Sequence, residues 1–145
     1  MLHNRYEVVV YDDFKTFEFD SIGPNGTIRK VVRYEQIGDA EYHLGFGDQD
    51  AQTGFISDLR VSGNHDRQQV LATVAATLHV FFSRYPGATV YATGSTAART
   101  RLYRMGITRN LVEISRDFTL YGLWNGRWQL FQPGVDYVAF KAQPK

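Results

Sequence analysis

Apolar and polar positions alternate along most of the first sixty residues, the period of strands that turn one face to a core. Tyr6 to Tyr11 is an aromatic and β-branched run, and Phe14 to Ile22 alternates with Phe17 and Phe19 on one face. Pro24-Asn25-Gly26 is a turn signal, because proline presets the entry and glycine supplies positive φ. Thr27 to Ile37 sets Ile28 against Arg29 and Lys30, then returns to Val31, Val32 and Tyr34. Tyr42 to Phe46 is a fourth run, Asp48 to Gly54 a polar hairpin loop, and Phe55 to Val61 a fifth strand. Together they predict an antiparallel meander.

The period then lengthens. From Asp66 to Arg84 the residues Val70, Leu71, Val74, Ala75, Leu78, Phe81 and Phe82 recur at helical spacing, with Ser62 or Asn64 as N-cap. Tyr85-Pro86-Gly87 ends the helix, since the residue before proline leaves α geometry. Ala88 to Ala92 is a short strand. Thr96 to Met105 is a second helix, with Gly106 as a left-handed cap. Its buried stripe is read as Ala98, Leu102 and Met105. Phe118 to Trp124 and Arg127 to Phe131 flank Asn125-Gly126, a strong hairpin signal, and Val135 to Lys141 is a last strand. The expected fold is α+β: a twisted, mostly antiparallel sheet, two helices in a β-α-β-α unit, and a C-terminal hairpin.

Composition narrows the chemistry. The 145 residues suit a single domain, 1–145, with no linker or repeat. Sixteen Lys plus Arg against fifteen Asp plus Glu leave no dense positive field, so nucleic acid is not an expected partner. The absence of cysteine excludes disulfides, thiolate metal sites and cysteine nucleophiles. His3, His43, His65 and His79 include no pair at ligand spacing, so no metal site is expected. Residues 1–6 hold no signal-peptide run, and Val70 to Phe82, broken by Thr73, Thr77 and His79, is too short to span a bilayer. The expected compartment is the cytoplasm.

Candidate chemistry gathers at the two helix starts. Asn64, His65, Asp66 and Arg67 precede the first, and Thr93, Gly94, Ser95 and Thr96 precede the second. If strands 55–61 and 88–92 run parallel, both helices begin at one edge of the sheet, where open α/β sheets bind ligands. Their N–H groups and hydroxyls then suit a phosphate or carboxylate, with Arg99 near by. The plainer reading, preferred here, is a pair of ordinary caps and a tight turn, with Arg99, Arg101 and Arg104 on a solvated face. A triad of Ser95, His65 and Asp66 has poor geometry, because adjacent helical residues diverge by about 100°. Asp48, Asp50 and Asp58 lack the ordered ligand series of a calcium loop and read as a solvated turn. Trp124 and Trp128 are placed to stack on one hairpin face, either as a sheet layer or as a partner interface.

Two resemblances attach to particular residues. Ala98-Arg99-Thr100-Arg101-Leu102-Tyr103-Arg104-Met105-Gly106-Ile107 resembles a late helix motif of the GNAT-type, acyl-CoA-dependent N-acetyltransferases. That resemblance implies an acyl-CoA cofactor and casts Tyr103 as the acid that protonates the departing thiolate. The stretch matching their pyrophosphate grip, Asn64 to Ala72, has no glycine after Arg67, so side chains stand where backbone must approach phosphate. Gly23-Pro24-Asn25-Gly26, Leu44-Gly45-Phe46-Gly47-Asp48, Val70 to Ala75 and Thr93 to Ile107 are similar to an uncharacterised family of small proteins of Bacteroidota and relatives. Two functions follow. The preferred one is a non-catalytic binding module without cofactor, a homodimer or a component of a two-gene system of the toxin–antitoxin kind. The alternative is a divergent acyltransferase with Tyr103 as acid and His65 or Asp66 as base. An open crevice favours the enzyme, and one filled by side chains favours the module.

Overall fold

The computed structural model describes residues 5–49, 56–57 and 66–145. Among them, nine strands form one sheet: β1 (Val9–Val10), β2 (Thr16–Gly23), β3 (Gly26–Gly38), β4 (Glu41–Gln49), β5 (Ile56–Ser57), β6 (Thr89–Ala92), β7 (Phe118–Trp124), β8 (Arg127–Leu130) and β9 (Ala139–Pro144). Three helices accompany them: α1 (Arg67–Arg84), α2 (Ala97–Arg109) and α3 (Leu111–Asp117). The sheet order is β1-β2-β3-β4-β6-β9-β7-β8, with β5 paired to β4. Every pairing is antiparallel except β4 with β6.

Alternation in the meander places Phe17, Phe19, Val32 and Tyr34 on the face that α1 covers, each at most 1% exposed. Phe81 of α1 stacks on Tyr34 with ring centroids 4.2 Å apart and meets Tyr42 edge-on. Fully burying one such side chain contributes about 1.5–3 kcal/mol. Tyr34 and Thr77 share a buried hydrogen bond of 2.7 Å, and Thr77 Oγ1 also donates to the Val74 carbonyl. The α1 helix ends at Arg84, before Tyr85-Pro86 as the sequence requires.

The structure corrects several expectations. The parallel neighbour of β6 is β4, whereas β5 runs antiparallel to β4; Phe55 and 58–61, the remainder of the expected fifth strand, lie outside the described residues. Asp48 belongs to β4, 3% exposed and ion-paired with Lys30, and is no solvated turn. A buried charge is retained only when paired, and the β3–β4 register sets these two opposite each other. Gly106 is no left-handed cap but an interior residue of α2, packed so closely that a Cβ there would lie 2.6 Å from Leu71 Cδ1. Asn110 closes that helix instead, its backbone and side-chain nitrogens both donating to the Gly106 carbonyl, and α3 follows directly.

The buried side of α2 is also rotated from the expected stripe. Ala98 and Met105 are exposed, and Thr100 and Gly106 are buried instead. Small side chains let α2 approach α1, an advantage that apolar periodicity does not register. Arg104 leaves the solvent too: its guanidinium donates to the Val135 carbonyl and the Asp136 carboxylate. Residues 135–138, expected as strand, form the loop into β9, held in part by that arginine.

Candidate functional site

The one parallel pair is short. Glu41 to Leu44 of β4 lie beside Thr89 to Ala92 of β6, after which β6 ends and the chain turns into α2. β4 runs on, and among the described residues it meets β5 at Asp48 and Gln49. On this edge Gly45, Phe46 and Gly47 have no strand partner among the described residues. β4 and β6 therefore part after Leu44 and Ala92, and the gap between them is a notch in the sheet.

Behind the notch lies a cavity of about 90 Å³. Its walls are Leu44 and Phe46 of β4, Val90 and Ala92 of β6, Leu71, Val74, Ala75 and Leu78 of α1, and Tyr103, Gly106 and Ile107 of α2. Leu120, Phe140, Ala142 and Ile114 also line it. Among the described residues the polar ones that border it are Tyr103, Asn110 and Lys141. Because Lys141 alternates in β9 with the buried Phe140 and Ala142, its side chain leaves for the opposite face of the sheet. Tyr103 stands against Phe46, ring centroids 5.2 Å apart. An apolar cavity of roughly 150 Å³ holds a benzene ring, so this one suits a short aliphatic group.

The residues expected at the helix starts distribute differently. Asn64 and His65, with the caps Ser62 and Asn64, lie outside the described residues. Asp66 accepts hydrogen bonds from Tyr6, at 2.6 Å, and from Ser21 of β2. Burial, followed by the bond to Asp66, raises the Tyr6 phenol above its ordinary pKa. Asp66 therefore ties the N-terminal segment to the meander, and Arg67 beside it is exposed. Thr96 caps α2 by accepting from Arg99 N at 3.1 Å. Gly94 N donates to Thr100 Oγ1, and Thr93 Oγ1 donates to the Val138 carbonyl. A Cβ on Gly94 would come within 2.5 Å of Thr100 N, so the turn is pressed against the helix it starts. Of the expected residues, only Tyr103 lines the cavity; Asp66, Arg67, Thr93, Gly94, Ser95, Thr96 and Arg99 do not.

The hairpin corrects a further expectation. Trp124 pairs with Arg127 and Trp128 with Leu123, so the two indoles point to opposite faces of the sheet and do not stack. A two-residue turn sets Trp124 one position out of step with Trp128. Both remain exposed, at 50% and 37%. Among the described residues no group of three metal-ligating side chains occurs, and no helix is long and apolar enough to cross a membrane.

Leu44 and Phe46 of the wall flank a sequence signal of their own. Glycines at alternate positions inside a strand, Gly45 and Gly47, leave the strand without side chains of its own on one face. A Cβ on Gly45 would meet nothing within 4 Å. Fold and site together define an α+β protein with an apolar cavity where a parallel strand pair diverges. The chain belongs to the family of unknown function DUF6934, whose model matches residues 2–145. No curated protein and no solved structure matches it.

Proposed function

We propose that the notch between β4 and β6 receives an acyl-pantetheine arm and that the protein transfers the acyl group from an acyl-CoA donor. The observation that carries this reading is the apolar cavity at the point where β4 and β6 part, after Leu44 and Ala92. An extended arm bearing amides follows a strand as an added strand does, and its short aliphatic end fills the cavity. The strand order around a single parallel pair supports the resemblance to the N-acetyltransferases. In this reading an amine attacks the thioester carbonyl, the carbon–sulfur bond breaks, and Tyr103 protonates the leaving thiolate. Asp66, bound to Tyr6 and Ser21, serves as an anchor, which leaves His65 as the base that takes the amine proton.

A thermal-shift titration tests the binding step. Acetyl-CoA at a hundred times its dissociation constant stabilises the fold by about 2.7 kcal/mol, a rise of several degrees. Ala92→Leu, which fills the notch, is expected to keep the fold and lose the shift. Tyr103→Phe is expected to keep the shift and slow thiol release. No shift with acetyl-CoA or CoA sinks the proposal. The second reading, a protein-binding module or homodimer of a toxin–antitoxin-like pair, draws on Trp124, Leu130 and Val138, exposed by 50%, 61% and 60%. A dimer in light scattering, dissociated by Trp124→Ser, together with no response to CoA, favours it.

A further inference from the structure

The helices cover one face of the sheet, and on the other face the strand registers draw a single line of side chains. Glu35 of β3 lies opposite His43 of β4, His43 beside Tyr91 of β6, Tyr91 opposite Lys141 of β9, and Lys141 opposite Tyr121 of β7. Leu130 of β8 completes the line. Two residues along β8, Trp128 shares this face and meets Tyr91 edge-on, with ring centroids 5.8 Å apart.

Lys141 is the unusual member. Its ammonium lies 4.7 Å from the Trp128 ring centroid and 4.9 Å from that of Tyr121. Among the described residues no ion pair joins it to a carboxylate, and Glu41 accepts from the Tyr91 hydroxyl at 2.7 Å. That bond is the first cause, and burial the second, of the raised Tyr91 pKa. Two ring faces thus fix the position of a cation without satisfying its N–H donors, since a π face takes no conventional hydrogen bond. Beside it lie the exposed indole of Trp128 and the side chain of Leu130, 61% exposed. A held ammonium next to an apolar ledge complements one ligand chemistry: a carboxylate on a flat apolar body.

We infer that the helix-free face carries a binding site for a small aromatic carboxylate, with Lys141 taking the carboxylate and Trp128 and Leu130 the ring. The site lies across the sheet from the acyl cavity and is independent of the acyl-transfer reading. It is tested in the Trp124→Phe variant, where Trp128 is the sole indole, by following its emission during titration with benzoate. A saturable change is expected, weakened at least tenfold in Lys141→Met and retained in Lys141→Arg, which keeps the charge if Met disturbs the fold. Benzamide, neutral and of the same shape, is expected to bind at least tenfold more weakly. No change with benzoate, or an equal change in Lys141→Met, overturns the assignment. Tighter binding of benzylamine also overturns it, because the rings would then form a cage for a foreign cation that displaces Lys141.

Discussion

One flank of α1 meets the meander through Val70, Thr73, Thr77 and Phe81, and the other meets α2 and β6 through Leu71, Val74, Ala75 and Leu78. The first flank is filled by rings. Tyr34, Phe81, Tyr42 and Phe82 interlock, and the two threonine hydroxyls among them are spoken for by Tyr6 N, Tyr34 and helix carbonyls. Among the described residues, no buried side-chain nitrogen or oxygen lacks a partner. The second flank is aliphatic and borders empty space, although Gly106 brings α2 almost against Leu71. Close packing is concentrated on one side of the helix and empty space on the other. The hollow side is therefore where side chains can change at the least cost to the fold.

The comparison breaks most readily at Phe81. Phe81→Ala is expected to cost about 3–5 kcal/mol in a urea melt, because the ring is fully buried and touches four others. A loss below about 1 kcal/mol would mean that the ring stack is not what holds α1 to the meander. Thr77→Val is expected to cost about 1–3 kcal/mol, since it leaves the buried Tyr34 hydroxyl without an acceptor. Tyr34→Phe is expected to cost less, because Thr77 keeps its bond to Val74.

The same pair gives a pH signature. Burial raises the Tyr34 phenol above its ordinary value of 10.0, so the folded chain keeps a proton that the unfolded chain releases. The stabilisation is complete below about pH 10 and falls as pH rises, by up to about 1.4 kcal/mol per unit. Tyr34→Phe is expected to flatten the alkaline slope of the melting curve by that amount. The smallest effect belongs to the hollow flank. Ala75→Leu, which adds volume to the cavity wall, is expected to leave stability unchanged or raise it by about 1 kcal/mol. A loss of 2 kcal/mol or more would show that the flank is as tightly packed as the other.

Sequence and structure agree most closely where local chemistry is sufficient. The hairpin around Asn125-Gly126 is set by two residues with positive φ, and β7 falls on Phe118–Trp124 as expected. The α1 helix has both a clear apolar period and a proline stop. Agreement ends where a choice depends on a distant partner. The turn at Asn125-Gly126 specified a hairpin, but only the register revealed that Trp124 and Trp128 face apart. Gly106 has the chemistry of a cap and is used for helix contact, because Leu71 occupies the space where its side chain would be. The exposed Met105 and buried Thr100 also reverse the apolar pattern, and Thr100 is held by Gly94 N and the Thr96 carbonyl. The site was legible at Tyr103 alone. Its other walls come from seven separate elements whose meeting depends on β6 pairing with β4, an arrangement that no local signal encodes.

β9 comes last of the described strands in the chain, yet it sits inside the sheet, between β6 and β7. During synthesis on a ribosome, residues up to Gln132 therefore emerge as two unconnected pieces: the meander with β6, and the β7–β8 hairpin. Each exposes a strand edge while it waits. Only when residues 139–144 have cleared the exit tunnel can one segment hydrogen-bond to both and join them. Such long-range closure is slow, and edges left open in the interval invite pairing with other chains. The yield of folded protein is thus expected to depend on chaperone supply during translation more than the stability of the finished sheet would indicate.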